Sequence, residues 1–300
     1  MNLLTFSIFA SSINNMNAFE DIVNYSTVQI RSDAGSGTGF IFNFDIPGRN
    51  EEIPCLITNK HVIRKQTAEN TYQYTTQGQI TFHLQNVEQN PENIFTCDIA
   101  GHLWKWIEHP GNIDLCALPL GPLIKEMHDK GIRPYWRHLT INNLISEEML
   151  DQLTPINNIL MVGYPIGLID YANNFPIFRK GITSTHPGRK FNSAQQNESH
   201  FLIDAACWPG SSGSPVFLRC PIQTRNGSFY DGGAGPMNNK LLGILWGDPE
   251  HTAEGNIISK EIPMIQIPLS QTRIPANLGF VIHAREILVL KEQLLNLVNS

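Results

Sequence analysis

A segment of small residues, 208–215 (WPGSSGSP), lies between two apolar runs. Glycine and proline at this density indicate a tight turn, which would expose a serine hydroxyl. A serine hydroxyl becomes a nucleophile only when a positioned imidazole accepts its proton, and a third group must orient that imidazole. The segment therefore predicts a reactive serine, Ser212, and requires a histidine and a carboxylate elsewhere in the chain.

Two residues are suited to supply these groups. His61 follows the apolar run 55–57 at a point where a strand would end in a polar turn. Asp114 opens the apolar run 113–118. A carboxylate there would be substantially buried, so it would need a hydrogen-bonding partner such as an imidazole N–H. Along the chain the order is His61, Asp114, Ser212, with separations of 53 and 98 residues.

This order argues against the α/β-hydrolase arrangement of a reactive serine. That arrangement needs the motif Gly-x-Ser-x-Gly and the chain order serine, acid, histidine. Here the residue two positions after Ser212 is Ser214, and the histidine and the aspartate precede the serine.

The elements that must position these residues are predicted to be short antiparallel strands. Runs rich in Val, Ile, Phe and Thr alternate with Gly, Pro and Asn clusters, which is typical of an all-β protein. The predicted strands form two groups: 27–31, 38–43, 54–58, 79–84 and 115–119, then 158–163, 176–183, 200–206, 215–219, 241–246 and 278–282. Helices are predicted at 18–23, at 145–153 and from 284 onward, the last packing on the second group. Polar segments at 66–78, 187–199 and 224–239 are predicted to be surface loops.

Several motifs resemble, in the same order, those of the trypsin-like serine peptidases of the chymotrypsin fold. They are 35–40 (GSGTGF), 56–62 (LITNKHV), 114–118 (DLCAL), 163–167 (GYPIG), 180–184 (KGITS), 204–206 (DAA), 212–217 (SGSPVF), 243–247 (GILWG) and 279–282 (GFVI). Within that family the chain looks most like the HtrA-type and glutamyl-endopeptidase-type branches, without a PDZ domain.

The resemblance implies an all-β fold of two six-stranded antiparallel β-barrels with a C-terminal helix. Residues 1–25 would be an N-terminal extension, 26–150 the first barrel with a connecting helix, and 151–300 the second barrel, together forming one peptidase domain. Ser212 would attack a peptide carbonyl, His61 would accept and return the proton, and Asp114 would hold the imidazole tautomer. The N–H groups of Gly210 and Ser212 would form the oxyanion hole.

The chain departs from the digestive enzymes of this family in two ways. They place an Asp before the nucleophile, where a freshly cleaved N-terminal ammonium pairs with it, but this chain has Ser211. Activity is therefore expected without zymogen cleavage. The pocket for the residue before the scissile bond would be lined by Ala206, Cys207, Trp208, Leu245, Trp246 and Gly247. It has no acid at Ala206, taken as its base, and no His at Leu245, so a small or medium apolar side chain is the expected preference.

Composition limits the possible partners. The 300 residues are 41% apolar and carry a net charge of −6, without long basic runs, so nucleic acid is not an expected partner. The longest apolar run, 3–10, is too short for a membrane span. That run could belong to a secretion signal, but it lacks a basic start. Five cysteines, an odd number, lie mostly in apolar runs, which favours a cytoplasmic location over export.

The sequence therefore predicts a serine endopeptidase that cleaves protein or peptide substrates through an acyl-enzyme, without a metal or organic cofactor. One alternative is a catalytically silent module that uses the same cleft to bind a peptide or a partner protein. A second is a protease that becomes active only with a regulatory protein partner.

Overall fold

The computed structural model of the protein describes residues 6–7, 18–67, 69, 71–85, 91–100, 104–189, 191, 200–230, 236–247, 250–253, 272–275 and 277–298. No helix in these ranges is long and apolar enough to cross a membrane. The same ranges contain no group of three or more His, Cys, Asp or Glu residues that could hold a metal ion. Most of the apolar run 3–10 lies outside the described residues, and only Phe6–Ser7 is assigned, as a short strand.

The secondary structure is mostly β. The strands are β1 (Phe6–Ser7), β2 (Thr27–Ser32), β3 (Gly35–Asp45), β4 (Glu51–Thr58), β5 (Arg64–Gln66), β6 (Tyr72–Tyr74), β7 (Gly78–Gln85), β8 (Pro91–Asp98), β9 (Ile107–Glu108), β10 (Cys116–Pro119), β11 (Pro134–Tyr135), β12 (Asn158–Gly163), β13 (Ile177–Thr183), β14 (His200–Asp204), β15 (Pro215–Leu218), β16 (Ile222–Gln223), β17 (Phe229–Tyr230), β18 (Leu241–Gly247), β19 (Glu250–Ala253), β20 (Thr272–Pro275) and β21 (Leu278–His283). The α-helices are α1 (Phe19–Ser26), α2 (Lys60–Ile63), α3 (Gly121–Asp129), α4 (Glu147–Gln152) and α5 (Glu286–Val298). Two 3-10 turns occupy Ile141–Asn143 and Pro165–Gly167.

The second half of the chain forms a closed six-stranded antiparallel barrel, in the order β12-β13-β14-β21-β18-β15. All six strands coincide, within a few residues, with those predicted from the sequence, so this barrel is confirmed. Its closure requires close backbone contacts. A Cβ on Gly243, for example, would lie 2.1 Å from the carbonyl oxygen of Ile282 on the neighbouring strand.

In the described residues the first half does not form the closed six-stranded barrel that the sequence predicted. Its described strands form a nine-stranded sheet in the order β11-β7-β2-β3-β4-β10-β9, with β1 added on β4 and β8 on β7. In the described part of the chain no ladder joins β8 to β9. Helix α3 packs beside this opening, where Cys97 of β8 lies with its Sγ 3.7 Å from Sδ of Met127. The helix contributes its buried Leu123, Ile124 and Met127 to the same hydrophobic cluster as Cys97.

One hydrophobic cluster joins the two halves. It includes Phe40, Phe42, Ile57 and Leu115 from the first half, Val162, Phe217 and Ile244 from the second, and Ile287, Leu290 and Leu294 of α5. The C-terminal helix was predicted to pack on the second half. In the structure it packs on both halves. At its start Glu286 accepts a hydrogen bond from Nε2 of His109, a residue of the first half, at 3.0 Å.

The sequence analysis missed helix α3, strand β8 and the short strands β1, β5, β6, β9, β11, β16, β17, β19 and β20. Strands β6 and β17 lie within the predicted loops 66–78 and 224–239, and most of the predicted loop 187–199 lies outside the described residues. Helix α3 begins with Gly121 and Pro122, and proline is favoured in the first turn of a helix. Its buried Leu123, Ile124 and Met127 recur at helical spacing, so the signal was present. Strand β8 has a weaker pattern, and it pairs with β7, which extends the sheet beyond the predicted strands.

Candidate active site

His61 and Asp114 come together because strands β4 and β10 are neighbours in the sheet. Cys116 pairs with Thr58, so the residues just before β10 lie beside those just after β4. The Nδ2 of Asn59 donates to the backbone oxygen of Asp114 at 2.7 Å, which fixes the two strand ends to each other. Helix α2 then begins, and it carries His61 in its first turn.

The Asp114 carboxylate receives three hydrogen bonds. Nδ1 of His61 lies 2.5 Å from Oδ2 of Asp114, and the backbone N–H of His61 donates to Oδ1 at 3.1 Å. The indole Nε1 of Trp246, from the second barrel, donates to Oδ2 at 2.8 Å. The Asp114 side chain is only 18% exposed, whereas that of His61 is 45% exposed, so the outer face of the imidazole is open to solvent.

The electrostatics of this cluster favour an ionised aspartate. Burial by itself would raise the pKa of Asp114, but the hydrogen bonds and charge of His61, together with the Trp246 hydrogen bond, outweigh it and lower that pKa. An ionised Asp114 can hold the imidazole with its proton on Nδ1, which leaves Nε2 able to accept a proton. Lys60, next to His61, restrains the loop that precedes Asp114. Its Nζ donates to the backbone oxygens of His109 and Gly111 at 2.7 and 3.2 Å.

Ser212 lies on a turn that both halves of the protein hold. The backbone N–H of Thr38, in the first half, donates to the Ser212 oxygen at 2.8 Å. The N–H of Gly213 donates to the oxygen of Leu245 in the second barrel at 2.8 Å. The Ser212 hydroxyl donates to the backbone oxygen of Trp246 at 3.3 Å. Within the described residues, no hydrogen bond joins the His61 imidazole to the Ser212 hydroxyl.

The backbone N–H groups around Ser212 divide into two kinds. The N–H groups of Ser211, Gly213 and Ser214 donate to backbone oxygens. Those of Gly210 and Ser212 have no acceptor in the described part of the chain. Two unpaired backbone donors, one on the nucleophile itself and one two residues before it, are the groups that an oxyanion hole requires.

Gly210 has a backbone conformation that only glycine adopts readily. Its φ is +89°, and a Cβ there would lie 2.6 Å from the oxygen of Tyr164. The oxygen of Pro209 accepts a hydrogen bond from the N–H of Ile166 at 2.5 Å. Because the C=O and N–H of a trans peptide point in opposite directions, the N–H of Gly210 is aimed away from Ile166. Ile166 itself has a φ of +47°, which is unfavourable for a β-branched residue and is a strain found at functional sites.

The structure separates the residues of the predicted substrate pocket into two groups. Cys207 and Leu245 are each only 1% exposed and belong to the core of the second barrel. Their side chains are thus packed in the barrel core, and their predicted place in the pocket lining stays a prediction. Ala206 is exposed, Trp208 is 44% exposed, and Trp246 and Gly247 are partly exposed. The role of these four in substrate binding likewise stays a prediction.

Three residues contribute to the site in ways that the sequence analysis did not identify. Buried Thr38 accepts from the N–H of Tyr164 at 3.1 Å and donates its hydroxyl to the oxygen of Gly210 at 2.9 Å. Trp246 contacts Asp114 as well as Ser212, and Arg179 contacts the turn from β13. The available signal for Thr38 was a polar residue in a buried, glycine-rich strand. The contacts of Trp246 and Arg179 join residues far apart in the sequence, so no local pattern indicated them.

Two kinds of solved structure resemble this chain weakly. Rv3671c from M. tuberculosis H37Rv, solved in an inactive form, is 15% identical, with a TM-score of 0.45 over 95% of this chain and 94% of that chain. The MamO protease domain from Magnetospirillum magneticum is 12% identical, with a TM-score of 0.41 over 89% of this chain and 96% of that chain. The sequence matches no curated protein.

The family is established by the sequence match to a family model. The model described as a trypsin-like peptidase domain matches residues 37–220, which is more than half of the chain and includes His61, Asp114 and Ser212. The closer resemblance to the HtrA-type and glutamyl-endopeptidase-type branches stays a prediction. With a mostly β, chymotrypsin-like fold and this match, the chain belongs to the trypsin-like peptidase family.

Proposed function

We propose that this protein is a serine endopeptidase that uses Ser212 as nucleophile, His61 as general base and Asp114 to orient the imidazole. The observation that carries the proposal is that Trp246 makes hydrogen bonds to both parts of the site. Its indole donates to the same Asp114 oxygen that His61 approaches, and its backbone oxygen accepts the hydroxyl proton of Ser212. One residue thus connects the His–Asp pair with the serine, although the three come from distant parts of the sequence.

The chemistry would proceed in two halves. Nε2 of His61 accepts the hydroxyl proton of Ser212 as Oγ bonds to the substrate carbonyl carbon, and the resulting oxyanion lies against the N–H groups of Gly210 and Ser212. His61 then gives that proton to the leaving amine as the peptide C–N bond breaks, leaving an acyl-enzyme. His61 then takes a proton from water as the water oxygen bonds to the ester carbon. When this second tetrahedral intermediate collapses, the bond from Oγ of Ser212 to the carbon breaks, the His61 imidazolium returns its proton to Oγ, and the carboxylic acid product leaves.

The Ser212 hydroxyl must turn from Trp246 toward His61 for the first step. A rotation about one side-chain torsion changes its acceptor, and hydrogen bonds in catalytic sites commonly tighten only when substrate is bound. The Asp114 carboxylate, with its lowered pKa, would stabilise the imidazolium that forms during proton transfer.

The hydroxyl orientation also favours a second candidate function. A serine that donates to the Trp246 oxygen, without a hydrogen bond to His61 in the described residues, fits a catalytically silent module that binds a peptide in the same cleft. A protease that a regulatory partner activates by moving this hydroxyl is the third possibility. All three candidate functions involve a protein or peptide ligand. The cytoplasmic location stays a prediction.

A fluorophosphonate probe distinguishes these functions, because it bonds only to an activated serine. We expect the purified full chain to be labelled, peptide mapping to place the label on Ser212, and Ser212→Ala to abolish both labelling and cleavage of a protein substrate. The exposed Ser36, near the start of β3, gives a matched control, and Ser36→Ala should be labelled normally. An unlabelled wild-type chain that still binds peptides would support the silent module instead.

A further inference from the structure

The side chain of Arg179 reaches from the barrel wall to the turn that carries Ser212. Arg179 lies on β13, and its Nη1 donates to the backbone oxygen of Ala206 at 2.7 Å and to Oγ of Ser211 at 2.8 Å. Ser211 is only 1% exposed, so the second contact is made inside the protein. One nitrogen thus binds both ends of segment 206–211.

These two contacts close the segment into a compact turn. Oγ of Ser211 also accepts from the N–H of Trp208 at 3.4 Å, and the N–H of Ser211 donates to the oxygen of Trp208 at 3.0 Å. The unpaired N–H groups of Gly210 and Ser212 lie just before and just after Ser211. Any movement of Ser211 would therefore reorient both donors.

The guanidinium group is charged but incompletely paired. Burial lowers the pKa of Arg179 to about 10, so the side chain remains a cation at neutral pH. Its Nε and Nη2 are buried, and neither has a hydrogen-bond partner among the described residues. Buried donors without partners lower stability, and replacing a buried charge by an apolar group is often neutral or stabilising. Stability alone therefore does not account for a cation at this position.

Arg179 also pairs with the residue before the nucleophile, Ser211, which cannot form the ion pair known from the digestive enzymes. In the digestive enzymes an Asp before the nucleophile pairs with an ammonium group that exists only after cleavage of the chain. Here a neutral hydroxyl at that position accepts a hydrogen bond from a cation that belongs to the barrel itself.

We propose that Arg179 is a positioning residue that keeps the two oxyanion-binding N–H groups of the Ser212 turn oriented without any N-terminal processing. This inference rests on the proposed peptidase function. It assigns to Arg179 no contact with substrate, and it predicts that loss of the side chain weakens transition-state stabilisation more than substrate binding.

The first test measures the order of the turn and does not depend on catalysis. In hydrogen exchange on the full chain, Arg179→Met should speed exchange of the amides of Ser211, Gly213 and Ser214, while strands β15 and β18 stay protected. Lys180→Met is the matched control, since Lys180 is the exposed neighbour on the same strand, and it should leave the turn unchanged. Unaltered protection of the turn in Arg179→Met would overturn the proposal.

The second test uses kinetics. Arg179→Met should lower kcat about 100-fold with little change in KM, which is the size of effect expected when an oxyanion donor is lost. Added guanidinium ion should partly restore kcat to Arg179→Ala, a rescue that a purely structural defect would not show. If the wild-type protein is labelled and turns over substrate, and Arg179→Met has the same kcat as the wild type, the inference is refuted. A wild-type chain that never reacts would refute the peptidase function, while the exchange experiment would still decide the role of Arg179.

Discussion

The indole Nε1 of Trp246 lies 2.8 Å from Oδ2 of Asp114, the same oxygen that Nδ1 of His61 approaches at 2.5 Å. A donor from the second barrel therefore shares the carboxylate with the imidazole of the first half. His200 stacks on the Trp246 ring, with ring centroids 5.2 Å apart and planes 21° apart, and this restrains the indole. The orientation of the His–Asp pair thus depends on packing inside the opposite half.

Trp246→Phe should weaken catalysis and shift its pH dependence. The substitution keeps an aromatic ring but removes the N–H, so kcat should fall about 10-fold or more, as expected for a lost hydrogen bond to a charged group. The Trp246 hydrogen bond lowers the pKa of Asp114, so its removal raises that pKa. The acid-side loss of kcat/KM should consequently begin at a higher pH, which a pH–rate profile would measure.

A matched control for this change is Trp104→Phe. The indole Nε1 of Trp104 donates to the backbone oxygen of Asp98, away from the candidate active site. This variant should keep the wild-type profile. An identical profile for Trp246→Phe and wild type would mean that the indole does not influence the carboxylate.

Gly213→Ala should prevent the nucleophile turn from docking on the first half. Gly213 has a φ of +88°, and a Cβ there would lie 1.9 Å from the oxygen of Thr38. Gly227 has a φ of +85° with nothing within 4 Å of its Cβ position, so Gly227→Ala isolates the backbone strain. That strain costs about 1–2 kcal/mol, and the clash at Gly213 should add about 1–3 kcal/mol. Urea unfolding of both variants measures the difference, and equal losses would show that the turn can move aside.

His283 should make the protein less stable in acid. The side chain is fully buried, and burial, with the nearby Arg285 and His200, lowers the pKa of His283 to about 3. The unfolded chain binds a proton near pH 6.5 that the folded chain excludes, so the stability contributed by this group is present above pH 6.5 and is lost as the pH falls toward 3. The free energy of unfolding should drop by about 1.4 kcal/mol per pH unit from this one group.

Replacing the histidine tests the assignment. His283→Leu should reduce the acid slope by that amount when the free energy of unfolding is measured by urea titration from pH 7 to pH 4. His128→Gln, at an exposed position on α3, should leave the slope unchanged. An unchanged slope in His283→Leu would place the acid sensitivity in another group.

Much of the site could be predicted because local patterns carried it. Apolar runs bounded by glycine and polar clusters marked all six strands of the second barrel, and the turn at 208–215 marked Ser212. The chain order of His61, Asp114 and Ser212 distinguished the trypsin-like arrangement from that of the α/β-hydrolases. The first half was predicted less well, because closure of a sheet depends on which strand edges find partners. The helical spacing of α3 was present in the sequence, but its position beside β8 follows only from the tertiary packing.

The amino-acid sequence by itself determined the strand pattern, the residue types able to do the chemistry, and membership of the trypsin-like peptidase family. Tertiary structure alone decided that Trp246 bonds to Asp114, that Thr38 supports Gly210, and that Arg179 supports Ser211. Each of these contacts joins residues at least 32 positions apart. Hydrogen bonds act over about 3 Å in space, so their partners follow from how the two halves pack, which no local pattern in the chain records.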